Sequence, residues 1–287
     1  VESGEAAITA TWQCPSCATI ADGLFCAACG ERRLDGVAQP GGRIARATRP
    51  ARSWLSRLHR SLQALASPPG RLTREWLAGR RTPYLSPIAL FLYTNVAFLI
   101  VQSASGVSIL SWPLAVHLDN DVLGLVRPMF DAYAGPNALR NPQYVAVFNA
   151  LEVVHAKALV VMMVPMLAAA MLVAPSIQRT RFERSFAFAA HYYTFALIAL
   201  CALFPIVGLT LGVLQHYGVR PAPDTIDVVV TTIQSMIVGW YLLRALRTLT
   251  ALPPGWRLAT GVLLYAATAL ILRVYHLAVF AVTMLAM

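Results

Sequence analysis

The chain has 287 residues, of which 57% are hydrophobic and only 13% charged, with a mean hydropathy of +0.60. Soluble domains carry roughly 25% charged residues, so this composition excludes an ordinary soluble enzyme and points to an integral membrane protein. The formal net charge of +10 would suit a nucleic-acid binder, but the basic residues border apolar stretches instead of forming one soluble face. They therefore read as a topology signal and as contacts for anionic membrane lipids, and no nucleic acid is expected.

Four of the five cysteines fall in CPSCATIADGLFCAACG, a C-x2-C, eight residues, then a second C-x2-C. Cys14, Cys17, Cys26 and Cys29 can bring four thiolates to one tetrahedral zinc at about 2.3 Å, and Gly30 relieves the turn after the last sulfur. The alternative, a pair of disulfides, requires an oxidising compartment. Four ligands leave no open position, so the zinc would be structural, and residues 1–33 are expected to form a minimal zinc ribbon whose fold depends on the metal. Cys201, in an apolar span, reads as a packing residue. No signal peptide is expected, because the first long apolar stretch begins near residue 87.

Residues 34–51, rich in Gly, Pro and Arg without apolar periodicity, form a flexible basic linker. Residues 52–86 then carry two short helices and a basic collar. Trp54, Leu55, Leu58, Leu62 and Leu65 share one helical face, with Arg52, Arg57, His59, Arg60 and Gln63 outside it. Such a helix lies in the membrane interface, or packs the same face on protein. Ser67-Pro68 is expected to start the second helix and Gly79 to stop it. Arg71, Arg74, Arg80 and Arg81 crowd the approach to the first span, and Trp76 and Tyr84 serve as interface anchors.

Residues 87–287 hold five apolar spans, near 88–107, 155–174, 186–213, 227–243 and 259–283, each close to the ~20 residues a bilayer core needs. The fold class is thus an all-α five-helix transmembrane bundle with a small zinc ribbon and an amphipathic interfacial helix. With the N-terminus inside, eighteen Arg fall on the inner side and four Arg or Lys on the outer. That asymmetry implies a cytoplasmic N-terminus and an external, periplasmic C-terminus. The long external loop, 108–154, mixes prolines with Trp112, Leu125, Met129, Phe130 and Tyr133, so short helices lying on the outer face are expected there.

The CPxC and FCxxCG knuckles, the PGRLTREWLAGRRTPYLSP collar running into LFLYTNVAF, and the RSFAFAAHYYTF entry to the third span resemble the bacterial membrane-protein family catalogued as domain of unknown function 3667. The resemblance implies a multi-spanning protein of the bacterial inner membrane. It implies no activity and no catalytic residues.

Ionisable groups inside a bilayer cost roughly 2.5–3.5 kcal/mol each, so they need partners or a purpose. The candidate intramembrane polar residues are Glu152, His155, His191, Arg273 and His276. Glu152 and His155 form an E-x2-H pair, half of a di-metal carboxylate motif, with ion pairing as the alternative. His191 reads as a metal or acid–base candidate, or as an interface histidine hydrogen-bonded to backbone or a Tyr hydroxyl; His276 is open to the same two readings. Arg273, placed well inside the last span, needs an anion: Glu152 first, then Asp227 or a lipid phosphate.

No Ser-His-Asp order, HExxH, Walker loop or dinucleotide fingerprint occurs. Three readings of function follow. The first is a non-enzymatic anchor or sensor whose zinc ribbon binds a cytosolic protein partner. The second is a transport or lipid-handling protein built around the polar residues, for which five spans would require a homo-oligomer. The third is an intramembrane enzyme acting on a lipid-linked substrate.

Overall fold

The computed structural model describes residues 11–33, 54–105, 110–121, 123–135, 137–173 and 182–287. The expected basic linker, and Arg179 and Arg181 of the second-to-third loop, lie outside that set.

At the N-terminal end, β1 (Trp12–Gln13) pairs antiparallel with β2 (Ile20–Ala21), and Phe25 bridges Arg32. The remaining described elements are helical: α1 (Trp54–Ala66), α2 (Arg71–Leu77), α3 (Pro87–Ser105), α4 (Leu114–Asp119), α5 (Val126–Tyr133), α6 (Pro142–Leu159), α7 (Met163–Val173), α8 (Phe182–His216), α9 (Pro223–Leu249) and α10 (Pro254–Ala286). Five segments are long and apolar enough to cross a membrane: Pro87–Ala104, Pro142–Leu172, Phe182–His216, Val228–Leu249 and Pro254–Ala286. The count agrees with the sequence; the bounds do not. The second span begins at Pro142, because Asn141 caps α6 by accepting from the amides of Gln143 and Tyr144, with Pro142 at the first helical position. The connection after α3 thus ends at Asn141, not at residue 154. A 3-10 turn, Val160–Met162, separates α6 from α7. Pro165 explains it, since its missing N–H and its ring disturb the bond to residue 161.

Helix α8 is the hub, packing against α3, α7 and α9. Its first half is buried, with Ala187, Ala189 and Ala190 letting neighbouring backbones approach around Tyr192 and His191. Its second half exposes Ile206, Leu209 and Val213. Such exposed apolar residues are what a lipid-facing helix presents.

On the collar side, α1 divides its apolar face. Ala64 and Leu65 are buried, Trp54 meets the Tyr93 ring edge-on at 5.2 Å, and Leu55 stays open. Both packing on protein and exposure at an interface therefore occur on one helix. Helix α2 starts at Arg71, later than expected, since Gly70, at φ 83°, is the residue that turns the chain into it. Gly79, at φ 86°, ends that segment as the sequence indicates. At the other end of the bundle, α4 and α5 fold over the outer halves of α6 and α10, burying Leu114, Phe130, Phe148 and Phe280 in a second apolar core.

Candidate metal centre and the polar clusters of the bundle

The two C-x2-C knuckles are built alike. Each opens with a cysteine whose carbonyl accepts from the amide four residues on, Ala18 to Cys14 and Gly30 to Cys26, and each closing residue takes positive φ, 60° at Ala18 and 80° at Gly30. Cys14 and Cys26 each donate an amide back across the module, to Thr19 and Glu31. The result gathers Cys14, Cys17, Cys26 and Cys29, with all four sulfurs within 4.8 Å of one another. The closest separations are 3.5 Å for Cys14–Cys29 and 3.4 Å for Cys17–Cys26, and none is a disulfide. A tetrahedral ion with ~2.3 Å metal–sulfur bonds needs sulfurs roughly 3.8 Å apart, so the set fits one metal ion. Burial pushes the Cys14 and Cys29 thiols up. Cys17 is pulled down to about 6, first by the Thr19 hydroxyl and then by the Thr19 amide. Four facing sulfurs with such opposed tendencies share one cation better than four protons.

The module is fastened to the collar through one atom. Glu31 Oε2 accepts from the Ser16 hydroxyl (2.6 Å), the Arg81 amide (2.9 Å), the Thr82 amide (2.7 Å) and the Thr82 hydroxyl (2.8 Å). Glu31 is only 4% exposed. The collar is gripped from its other side by α1, where Arg57 donates through Nε (3.0 Å) and Nη2 to the Tyr84 carbonyl, and the Ser61 hydroxyl accepts from the Leu85 amide (2.9 Å). Arg81 also covers the Trp76 ring at 5.2 Å. The sequence reading missed Glu31. Its signal was a lone carboxylate directly after the last knuckle, with GRRTP as its complement.

The five intramembrane candidates do not form one site. His191, fully buried in α8, meets Thr73 of α2 at 2.9 Å through Nδ1, on the collar side. His155 meets Thr283 of α10 at 2.9 Å. Since the Thr283 hydroxyl donates to the Val279 carbonyl, it accepts from His155 Nδ1. Glu152 turns to the outer loop, accepting from the Trp112 amide (2.8 Å) and facing His117 Nε2 at 3.4 Å, with both side chains 1% exposed. The E-x2-H pair therefore splits between two partners. Among the described residues, only the cysteines gather three or more metal-ligating groups.

Glu152 being so engaged, the expected Arg273–Glu152 ion pair is not formed. Arg273 instead lies over the Trp112 ring at 5.5 Å, and Trp112 stacks on His276 with centroids 3.7 Å apart and planes at 6°. The Asp227 side chain lies outside the described set. Trp112 and His117, both from the outer loop, thus organise this end of the bundle, and sequence reasoning did not select them. Tyr275, next to His276, donates to the carbonyls of Ala156 (2.7 Å) and Leu110 (3.2 Å). Tyr275 thus joins α10 to the middle of the second span and to the chain just beyond α3, two residues from Arg273.

Residues 56–99, from α1 through the collar into α3, match the family model described as Protein of unknown function (DUF3667). This is the family that the collar motif resembles, and the match covers a minority of the chain. No curated protein and no solved structure matches.

Proposed function

We propose that this chain, whose collar carries the DUF3667 match, is a non-enzymatic protein of the bacterial inner membrane that anchors a zinc-bound module at the cytoplasmic face for contact with a protein partner. The reading is carried by Glu31, whose one carboxylate oxygen joins the cysteine module to the collar of a membrane-spanning bundle. Zinc suits an all-thiolate tetrahedral set, and four sulfurs saturate it, so it organises the module and leaves no position for a substrate. Cys14, Cys17, Cys26 and Cys29 would hold the ion. The Arg/Lys asymmetry supports a cytoplasmic module, where thiols stay reduced.

Ile20, 72% exposed on β2 and pointing away from the buried cysteines, is the module's outstanding apolar contact point. A photo-crosslinking residue placed at Ile20 should trap a discrete protein adduct in cells, and Cys26→Ala should abolish it while the protein stays in the membrane. Adducts only to the chain itself, or adducts indifferent to Cys26→Ala, would refute the reading. Lipid handling is the second reading, favoured by the open cavity beside Arg273.

A further inference from the structure

Just past its middle, α10 presents a guanidinium without an anion. Arg273 is exposed, and among the described residues no carboxylate lies within ion-pair distance of it. Its neighbours are aromatic: the Trp112 ring, on which His276 stacks. The two carboxylates on hand are already engaged. Glu152 serves the Trp112 amide and His117. Asp121 accepts from the amides of Leu125, Val126 and Arg127, which cap α5.

Beside this guanidinium lies a cavity of about 30 Å³, bordered by Trp112, His117, Asn120, Arg273, His276 and Asp121, whose carboxylate oxygens are taken up by the α5 amides. It is large enough for a water or for one oxygen of an oxyanion. His276 is 4% exposed, and its Nδ1 has no hydrogen-bond partner although buried. A buried polar atom of this kind is costly unless something completes it. The site thus offers a planar charged fork, an imidazole nitrogen without a partner and an indole in contact with both.

We infer that Arg273, Trp112 and His276 form a binding site for a phosphate group at the outer rim of the bundle. Arginine's fork matches phosphate geometry bidentately, and His276 Nδ1, when it carries the proton, donates to a third oxygen. A cation is disfavoured by the adjacent guanidinium. Tyr275, two residues on, reaches the Leu110 carbonyl just past α3, and a Trp beside an Arg is what a membrane–water boundary selects. The phosphate can belong to an outer-leaflet phospholipid headgroup or to a soluble phosphate-bearing molecule. The inference is independent of the role proposed for the cysteine module.

Native mass spectrometry of the full chain, titrated with dioctanoyl phosphatidylglycerol and separately with inorganic phosphate, tests it. The expected result is one retained ligand per chain, with R273Q and H276F each weakening retention about tenfold or more. Because Arg273 is exposed, R273Q should keep the wild-type thermal midpoint, and H276F preserves the aromatic stack while removing Nδ1. R220Q, which removes an exposed charge from the turn between α8 and α9, should leave retention unchanged. Retention of the lipid alone identifies a headgroup site; retention of inorganic phosphate, with displacement of the lipid, identifies a soluble ligand. No retention of either probe, or equal retention by wild type and R273Q, would overturn the site.

Discussion

Ala18 and Gly30 hold equivalent places in the two knuckles, and only one is a glycine. Both need positive φ, which costs an ordinary L-residue roughly 1–2 kcal/mol. The first knuckle therefore closes under a conformational penalty that metal binding must offset. The ligands add a protonation requirement, because Cys14 and Cys29 are raised by burial and a metal binds thiolates. Metal analysis of the purified protein should return close to one zinc per chain, and Cys26→Ala should lose it. With a competing chelator present, retention should fall as pH falls. Each proton that returns to a sulfur opposes the metal, and below about 6 even Cys17, whose pKa the Thr19 hydrogen bonds pull down, is mostly protonated. A chelator colour assay across that range reads the release; zinc content near zero at neutral pH, or release that is insensitive to acid, would remove the metal from the account.

Gly70 shows what an element boundary can demand. It sits at φ 83° at the start of α2, and a Cβ there would meet the Ala245 carbonyl oxygen at 2.9 Å and its Cα at 3.0 Å. Backbone cannot yield as a side chain can. Gly70→Ala should therefore cost roughly 1–2 kcal/mol from the left-handed conformation alone, with the clash against α9 added. Gly261→Ala makes the comparison: it meets mainly the flexible tip of Leu243 and has no positive φ. In detergent, the thermal midpoint should drop clearly further for Gly70→Ala. Equal drops would mean that the α2–α9 contact is loose. The amphipathic stripe of α1 was legible because helical periodicity is local, but which of its leucines touch protein depends on α2 and α8 arriving beside it. The early start of α6 was missed for a similar reason. Residues 142–154 are too polar to read as a span, and they lie in the outer half of a helix that α4 and α5 cover.

For the whole molecule, the distribution of Arg predicts orientation. A reporter active only outside the cytosol should work when fused after Met287 and fail when fused before Arg52. The reverse pattern would contradict the cytoplasmic placement of the module, and the same response at both ends would contradict the five-span count. The Glu31 latch has a consequence at the same scale. It ties the module to the collar, which α1 grips through Arg57 and Ser61, while Thr73 of α2 meets His191 of α8.

By itself the sequence determined the membrane class, the five spans, the four-cysteine centre and the collar that matches the family model. These depend on hydropathy, spacing and charge, which are properties of short stretches of chain. Only the tertiary structure decided who pairs with whom. Glu152 goes to His117 and the Trp112 amide, Arg273 to an indole face, His155 to Thr283, and Glu31 to the collar fifty residues away. Each of these choices was made by bringing distant segments together. A buried carboxylate needs well-aligned donors, and the chain between α3 and α6 brings His117 and the Trp112 amide to Glu152.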